Sequence, residues 1–472
     1  MADAESAFDF DLIVIGSGPG GQRAAIQAAK LQKRVAVIER SEVVGGSSIN
    51  IGTIPSKTLR EAVLYLTGYS QRGLYGAAYA VKQKITMSDL MFRVDHVIRA
   101  EQAVVSHQLA RNGIELVGAE ASLSGQHSVS VDFLDGRAAR ELTAEFIVIA
   151  VGTASTRDEH IPFDGKRVFT SDDILSVAEP PRTLSVVGAG VIGTEYASIF
   201  SALGVRVTLI DKRNELLDFV DDEITAALIY EMRLNRATMR LGEEVAAIEL
   251  MSDSRGDHVE IVLASGKRIV TDATLYSVGR TGATQGLNLE AAGLKADERG
   301  RLEVNERFQT PMSNIYAVGD VIGFPSLAAT SMEQGRLAAS FMFGEETATV
   351  PELIPFGIYA IPEISMVGRT EEALTEQGIP YEVGKARYRE IARGQILGDE
   401  RGLLKLIFDI HSRELLGAHA IGSGATELIH IGQAVLTFKG GLDYFLNTVF
   451  NYPTLAEAYK TAALDAQNRM SG

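Results

Sequence analysis

Short apolar runs rich in Val and Ile alternate along the chain with longer stretches in which apolar and polar residues follow helical spacing. This alternation is typical of βαβ units in a parallel sheet. The pattern predicts a strand, a helix and a strand at residues 10–16, 21–32 and 34–39, and again at 183–188, 192–203 and 205–211. A βαβ opening that recurs about 170 residues later predicts two nucleotide-binding domains in one chain.

Turn residues predict further elements between and after these units. Asp135-Gly136 and Ser265-Gly266 each separate two short apolar runs, so each predicts a β-hairpin. After Pro351 the pattern changes to an antiparallel pair with flanking helices, which predicts an α+β domain. The strands of that domain are expected at 405–408 and 415–421 and its helices at 371–377 and 425–439.

Composition narrows the classes of function. The 472 residues carry a formal net charge of −16, which argues against a general nucleic-acid binder. There are no cysteines, so disulfides, thiolate metal sites, iron–sulfur clusters and cysteine nucleophiles are excluded. The eight histidines show no metal-ligand spacing, and we expect no metal site. The polar N-terminal residues and the lack of a long apolar run predict a cytoplasmic protein without a membrane span.

The first glycine motif predicts a dinucleotide site. Gly16, Gly18 and Gly21 follow a strand and open a helix, at the spacing that permits a tight turn, the approach of a pyrophosphate and close helix–strand packing. The pyrophosphate would lie at the helix N-terminus. Glu39 ends the next strand, 23 residues after Gly16, where a carboxylate accepts hydrogen bonds from ribose hydroxyls. The alternative is an ordinary glycine-rich strand–helix turn, but the strand, the helix and the terminal acid together favour the dinucleotide interpretation.

A second copy of this motif has the same spacing, with Gly188, Gly190 and Gly193 followed by Asp211. Two copies indicate two dinucleotides, most simply a tightly held flavin and an exchanging nicotinamide. Asp211 suits a ribose 2′-hydroxyl, whereas Lys212 and Arg213 suit a 2′-phosphate. A solvated charge cluster remains the alternative for the basic pair.

Together these motifs resemble the two-dinucleotide flavoprotein disulfide reductases, a family that includes dihydrolipoamide dehydrogenase and glutathione reductase. Residues 315–320, ending in Gly319-Asp320, look like the family's second FAD motif, whose Asp binds the ribityl chain. Gly152 and Gly279-Arg280 lie in segments that look like the family's crossings between domains. The resemblance implies two Rossmann-like dinucleotide-binding domains plus a C-terminal α+β dimerisation domain, in an α/β fold.

The resemblance also implies domain boundaries and an assembly. The FAD-binding domain is expected at 1–154 and 280–350, the NAD(P)-binding domain at 155–279 and the interface domain at 351–472. We expect a homodimer or a higher homo-oligomer, with nicotinamide dinucleotides as the other partners.

The chain departs from this family where the dithiol chemistry would lie. The loop that follows Gly46 has Ser48 and Thr53 at the two positions where disulfide reductases have Cys. Lys57, at the end of the same loop, fits the family lysine near flavin N5, and Glu195 fits the glutamate that pairs with it. Both disulfide-forming positions carry hydroxyl residues, so no exchangeable disulfide can form.

The C-terminal acid–base device is altered as well. The family has a His-Pro followed by a Glu four residues beyond the Pro, and here Tyr452 replaces the His while Glu457 is retained. A phenol, with an ordinary pKa of about 10, is a poor proton shuttle for thiols at neutral pH. The sequence therefore excludes a disulfide reductase.

The loop and C-terminal patterns are similar to those of the soluble, Si-specific pyridine nucleotide transhydrogenases of this family. That resemblance implies ping-pong transfer, in which NADPH passes hydride to FAD at N5 and NAD then takes it from the same site. Most such enzymes are expected to keep a Cys at the position of Ser48, but transhydrogenation needs no thiol. Two alternatives remain open: an NAD(P)H dehydrogenase that reduces quinones, and a non-enzymatic flavoprotein subunit.

Overall fold

The computed structural model describes residues 7–76, 78–254, 256–345 and 350–470. The strands in these ranges are β1 (Phe10–Ile15), β2 (Val35–Glu39), β3 (Glu115–Leu123), β4 (Ser128–Phe133), β5 (Arg140–Ile149), β6 (Thr153–Ser155), β7 (Val168–Thr170), β8 (Thr183–Val187), β9 (Arg206–Asp211), β10 (Thr238–Leu241), β11 (Val245–Asp253), β12 (Gly256–Leu263), β13 (Arg268–Thr271), β14 (Ala273–Tyr276), β15 (Arg280–Gly282), β16 (Ile315–Ala317), β17 (Phe356–Ile358), β18 (Ile364–Gly368), β19 (Tyr381–Arg387), β20 (Leu403–Asp409) and β21 (Leu415–Ile421).

The helices in the same ranges are α1 (Pro19–Lys30), α2 (Gly46–Asn50), α3 (Thr53–Leu66), α4 (Arg72–Tyr75), α5 (Met87–Arg111), α6 (Val191–Leu203), α7 (Asp222–Leu234), α8 (Ala328–Met342), α9 (Glu371–Glu376), α10 (Ala392–Leu397), α11 (Ala425–Thr437), α12 (Leu442–Asn447) and α13 (Glu457–Met470). No helix within the described ranges is long and apolar enough to cross a membrane.

The chain divides into two compact units, each made of three segments. The first contains Met1–Thr58, Phe92–Thr156 and Gly279–Val350, and the second contains Leu59–Met91, Arg157–Val278 and Pro351–Gly472. The finer division into FAD-binding, NAD(P)-binding and interface domains stays a prediction.

The first unit is built on a parallel sheet. Strand β1 pairs in parallel with β2 and β5, β16 adds to β5, and β3 adds to β2. Strands β3, β4 and β5 also form an antiparallel meander, which confirms the predicted hairpin at Asp135-Gly136. Helices α1 and α8 pack closely, because a Cβ at Gly335 would lie 2.0 Å from the carbonyl oxygen of Gly20. The first predicted βαβ unit is therefore present.

The second unit contains a parallel sheet and two antiparallel sheets. The parallel sheet has the order β10-β9-β8-β14-β7 and contains the second predicted βαβ unit, with α6 between β8 and β9. Strands β11, β12 and β13 form a three-stranded antiparallel sheet that includes the hairpin predicted at Ser265-Gly266. The third sheet, β17-β18-β21-β20-β19, contains the pair predicted after Pro351, and α11 and α13 pack against it.

Besides small shifts at the ends of other elements, two helices differ from the predictions. Helix α1 begins at Pro19, two residues earlier than predicted, because a proline at the first helical position needs no hydrogen-bond partner for its nitrogen. The 25-residue helix α5 was not predicted at all. Its buried positions include Met87, Leu90 and Val94, but this apolar stripe is narrow and polar residues cover most of the helix.

A buried lysine links two parts of the second unit. Lys405 on β20 is 1% exposed, and its Nζ lies 2.8 Å from both carboxylate oxygens of Asp221, the N-cap residue of α7. Glu371, at the start of α9, also pairs with this ammonium. Burial disfavours both charges, but the pairing outweighs it, so the pKa of Lys405 is raised and that of Asp221 is lowered. The network ties α7 of the parallel-sheet layer to the third sheet.

Candidate active site

The first glycine turn lies between β1 and α1. Gly16 has φ +104°, and a Cβ there would lie 2.5 Å from the carbonyl oxygen of Ala150, so the turn requires glycine. A Cβ at Gly21 would lie 2.0 Å from the Gly16 oxygen, whereas a Cβ at Gly18 would meet nothing within 4 Å. Gly18 is the N-cap of α1 and has no side-chain cap. Two of the glycines thus serve packing, and the third leaves room for a ligand at the helix N-terminus.

Glu39, at the end of β2, holds this turn. Its Oε2 accepts hydrogen bonds from the Ser17 amide (3.0 Å) and the Ser17 hydroxyl (2.5 Å), and its Oε1 accepts one from the Ser41 amide (2.9 Å). The Ser17 hydroxyl oxygen in turn accepts the Gly45 amide (2.9 Å). A carboxylate has about four acceptor positions. Glu39 therefore keeps acceptor capacity for a ribose hydroxyl while it ties the glycine turn to the loop at Gly45.

Asp320 lies near the antiparallel pair of β6 and β15. Its Oδ2 is 3.4 Å from the Thr153 hydroxyl, and burial raises its pKa against the opposing charge of Arg280. Arg280 donates from Nε to the Thr153 hydroxyl and from a terminal nitrogen to the Thr153 carbonyl, both at 2.8 Å. The predicted crossing segments at Gly152 and Arg280 therefore meet. A carboxyl this sparsely bonded fits a hydroxyl-rich ligand such as the ribityl chain.

The loop that carries Ser48, Thr53 and Lys57 forms two helices in succession. Ser48 is half-buried in α2, and Thr53 is exposed as the first residue of α3. Lys57 lies in the first turns of α3, half-buried, and its Nζ donates to the Ser56 hydroxyl at 3.3 Å. A Cβ at Gly46 would lie 2.9 Å from the Gly18 Cα, so this loop closely approaches the first glycine turn. The structure thus brings Gly46 and Gly18 together.

The second glycine turn repeats the first. Gly188 has φ +102°, and a Cβ at Gly193 would lie 1.9 Å from the Gly188 carbonyl oxygen. A Cβ at Gly190 would meet nothing within 4 Å, and Gly190 is an N-cap without a side-chain cap at the start of α6. The same division of roles in both turns fits the binding of a second pyrophosphate.

Asp211 ends β9 and accepts hydrogen bonds from the amides of Ala189 (2.6 Å) and Arg213 (2.8 Å). The Arg213 guanidinium donates to both of its oxygens, at 3.2 and 3.0 Å. Burial opposes ionisation of Asp211, but these bonds outweigh it and keep its pKa below the ordinary value. Asp211 is thus already paired with Arg213, one of the two basic residues that follow it.

An open cleft of about 680 Å³ lies beside this pair. Lys212 and Arg213 line one part of it, and Gly242, Glu243, Glu244, Ala264 and Ser265 line the rest. The Glu243 carboxylate is itself paired, because Lys267 and Ser265 donate hydrogen bonds to it at 2.5 and 2.7 Å. Lys212 is exposed, and no ionic partner for it exists among the described residues. The cleft therefore presents a near-balanced set of charges with Lys212 as its unpaired cation.

Glu195 is buried in α6, two residues after Gly193. Its Oε1 accepts the Tyr359 amide at 2.8 Å, and the Ser198 hydroxyl donates to its backbone carbonyl at 2.8 Å. The carboxylate is thus held by the backbone of the residue that follows β17. Sequence reasoning singled out Glu195 only through the family resemblance and missed Tyr359.

Tyr452 and Glu457 lie at the C-terminal end of the second unit. Tyr452 is 73% exposed, and Glu457 is the first residue of α13. One carboxylate oxygen of Glu457, Oε2, is buried and has no hydrogen-bond partner among the described residues. No group of three or more potential metal ligands occurs within the residues that the structure describes.

Comparison with known proteins decides the family. The model of the pyridine nucleotide-disulphide oxidoreductase family matches residues 10–335, and the model of that family's dimerisation domain matches residues 354–463. The chain belongs to the pyridine nucleotide-disulphide oxidoreductase family. Membership in this family implies a flavin and a nicotinamide dinucleotide, and the dimerisation domain indicates a homo-oligomer. The family and the α/β fold class inferred from the sequence are confirmed.

Two relatives are similar to the chain over nearly its full length. The chain is 53% identical over 462 residues to a soluble pyridine nucleotide transhydrogenase of Mycobacterium tuberculosis, with 98% of each chain covered. It is 46% identical over 470 residues to the protein of the same name from Colwellia psychrerythraea, with 99% of this chain and 100% of the relative covered.

Among solved structures, the HOCl-induced flavoprotein disulfide reductase RclA from Escherichia coli, in a Cu(II) complex, has a TM-score of 0.86 at 27% identity, with 96% of this chain and 99% of that chain covered. LpdA from Mycobacterium tuberculosis, at 24% identity and a TM-score of 0.87 over 96% of this chain and 99% of that chain, shares the fold.

Several residues that support this site were missed in the sequence analysis. Ser17 couples Glu39 to the Gly45 loop, and Thr153 joins Arg280 to Asp320. Each is a small hydroxyl residue inside or next to a glycine motif. Their position beside the motif was a usable signal, but their partners lie 22 to 167 residues away in the sequence.

Proposed function

We propose that this protein is an FAD-dependent NAD(P) transhydrogenase, which transfers hydride between NADPH and NAD without a redox disulfide. The observation that carries the proposal is the coexistence of two complete dinucleotide turns with a sequence that has no cysteine. Because a dithiol is absent, reducing equivalents that enter from one nicotinamide have to leave through a second acceptor, and a second nicotinamide fits the same turn. The names of the relatives support this choice.

The first unit offers the residues for FAD. The Gly18 end of α1 would take the pyrophosphate, Glu39 the adenosine ribose and Asp320 the ribityl chain. The open space at Gly18 and the sparsely bonded Asp320 support these assignments. When bound, FAD supplies the two-electron chemistry through which hydride passes between nucleotides that occupy one site in turn.

The second unit offers the residues for the exchanging nucleotides. The N-terminus of α6 at Gly190 would bind the pyrophosphate, and Asp211 would accept a ribose hydroxyl. A 2′-phosphate would be met by Lys212, which is unpaired among the described residues, and by Arg213 when it turns from Asp211 toward the ligand. A pocket whose charges are nearly balanced discriminates weakly between the two nucleotides, as a transhydrogenase requires.

Lys57 and Glu195 are proposed to tune the bound flavin. The cationic Lys57 would favour the reduced, anionic ring, and Glu195 would hold that lysine in place. Ser48 and Thr53 would fill the space that redox thiols occupy in disulfide reductases, with no electron-transfer role. Tyr452 and Glu457 would approach the flavin site of a second subunit. The exposed apolar side chains Phe438, Val449 and Tyr452 on the C-terminal segment support a homodimer formed by this part of the chain. The cytoplasm is the proposed compartment.

The test is an anaerobic titration of the purified yellow protein. NADPH should reduce the flavin, and thio-NAD added afterwards should reoxidise it and produce thio-NADH at the same rate after treatment with a thiol alkylating reagent. If NADPH reduces the flavin but only a quinone reoxidises it, the dehydrogenase alternative replaces the proposal. If NADPH does not reduce the flavin, the non-enzymatic alternative is favoured.

A further inference from the structure

Residues 359–363, which join β17 to β18, contact two helices that carry proposed catalytic residues. One is α6, with Glu195, and the other is α3, with Lys57 in its first turns. The contacts of this segment with Glu195 and with the part of α3 beyond residue 58 lie within the second unit. This 359–363 segment has no role in the function argued above.

Toward α6, the segment donates two backbone hydrogen bonds. The Tyr359 amide donates to Glu195 Oε1 at 2.8 Å, and the Ile361 amide donates to the Ser198 hydroxyl oxygen at 3.0 Å. Both acceptor residues are buried. Two bonds at alternate residues fix the segment against α6 and direct one oxygen of the Glu195 carboxylate toward the protein backbone.

On the side that faces α3, the 359–363 segment contacts the buried Arg60. Arg60 Nε donates to the Ala360 carbonyl at 2.8 Å, and a terminal nitrogen of its guanidinium lies 3.2 Å from Glu363 Oε2. The two side chains are only 7% and 8% exposed. Burial raises the pKa of Glu363 above its ordinary value, and the charge of Arg60 opposes that rise. Arg60 is the largest of the influences that favour the Glu363 carboxylate, and backbone hydrogen bonds from Thr426 and Gly424 add to it.

The geometry of Arg60 leaves α3 little freedom to turn or slide. A planar guanidinium that meets a carbonyl on one edge and a carboxylate on another holds a single orientation, which a lysine cannot reproduce with one ammonium. Lys57 precedes Arg60 by three residues, so both lie on neighbouring positions of one helix face. A movement of α3 that displaced Arg60 would carry Lys57 with it.

We propose that Arg60 and Glu363 are positioning residues for the proposed Lys57–Glu195 machinery. Through Arg60, the 359–363 segment sets the position of the helix that bears Lys57, and through the Tyr359 amide it sets the orientation of the Glu195 carboxylate. The inference rests on the proposed function, because it takes both residues to act on the bound flavin.

The test compares R60M, R60K, E363Q and the double variant R60M/E363Q as flavin-loaded proteins. Two readouts report charge near the flavin ring: the dissociation constant for sulfite, which forms an anionic adduct with oxidised flavin, and the midpoint potential. We expect R60M to weaken sulfite binding at least tenfold and to lower the potential. R60K keeps the charge but not the fork, so it should restore little of either property.

Thermal stability separates positioning from folding. R60M leaves the buried Glu363 carboxylate without its ionic partner, whereas the double variant removes both charges and should regain stability while sulfite binding stays weak. R401M is the matched control, since it breaks the 2.6 Å pair of Arg401 with the buried Glu231 in the same unit, a pair that includes no residue of the 359–363 segment. The control should lower stability without changing sulfite affinity.

Sulfite affinity decides between a positioning and a structural role for Arg60. If R60M and the double variant bind sulfite as tightly as the wild type and R401M do, Arg60 is a structural residue and the inference is overturned. If R60M does not retain flavin, the double variant decides by the same criterion. The proposed function fails separately, when the wild type moves no hydride from NADPH to thio-NAD whatever the variants do.

Discussion

Alanine substitutions at two glycines three residues apart in the second turn should have different effects, one on ligand binding and the other on folding. Each is replaced by alanine, in G190A and G193A. Gly190 has φ −74° and ψ −174°, which alanine adopts without strain, and its Cβ would meet no atom within 4 Å. The Cβ of an alanine at 193 would lie 1.9 Å from the Gly188 carbonyl oxygen and 2.6 Å from the Ser277 hydroxyl oxygen. The same methyl group therefore meets empty space at one position and backbone at the other.

The expected magnitudes follow from these contacts. In G193A the start of α6 has to move by about 1 Å to bring the methyl group to the 3.0 Å that real Cβ contacts respect, and such overpacking costs about 1–3 kcal/mol or more. In G190A the folded chain is undisturbed, but the methyl group occupies the space proposed for the pyrophosphate. Losing about two charged hydrogen bonds costs about 3 kcal/mol, which is about 100-fold in affinity.

The assay measures kcat/KM for NADPH with thio-NAD as acceptor, together with flavin content and the thermal unfolding temperature. G190A should retain flavin and stability and lose about 100-fold in kcat/KM, whereas G193A should lose stability. Normal nucleotide kinetics in G190A would refute the placement of the pyrophosphate over Gly190. A G193A protein as stable as the wild type would refute the close approach of α6 to the Gly188 turn.

Three further predictions concern charge and assembly. D211N should strengthen NADP relative to NAD, and R213A should do the reverse at a cost of about 1–3 kcal/mol for a lost charged hydrogen bond; an unchanged ratio of kcat/KM values in both variants would leave the pair without a role in specificity. K405M should destabilise the chain by about 3–5 kcal/mol at pH 7, because Asp221 then stays buried and unpaired. Because the pKa of Asp221 is lowered, this residue stabilises the folded chain at pH values above its ordinary pKa of 3.8, and that stability is lost as the pH falls through the folded-state pKa. Because the pKa of Lys405 is raised, the stability that it contributes is lost as the pH rises beyond 10.5. Thermal unfolding of the wild type should therefore show a plateau near neutral pH, and a K405M penalty that does not shrink in acid would contradict this account. V449D, which places a charge on a side chain that is 90% exposed in the single chain, should weaken the homodimer in sedimentation experiments, whereas a wild-type protein that is monomeric and fully active would exclude the assembly.

The sequence by itself determined the features that depend on local rules. Strand and helix periods, glycine spacing and turn residues act over a few positions, so both βαβ units and the hairpins could be predicted. The absence of cysteine excluded dithiol chemistry without any knowledge of the fold. Helix α5 escaped prediction because its buried stripe is narrow, and a helix of this kind is stabilised by the neighbours it packs against.

Only the tertiary structure decided which charges meet. Asp211 and Arg213 are close in the sequence, yet the pattern alone did not show that they neutralise each other and leave Lys212 unpaired among the described residues. Arg60 and Ala360 are 300 positions apart, and no periodicity relates them. Such pairs form because packing brings distant segments together in a space from which water is excluded, where each buried polar group has to find its partner.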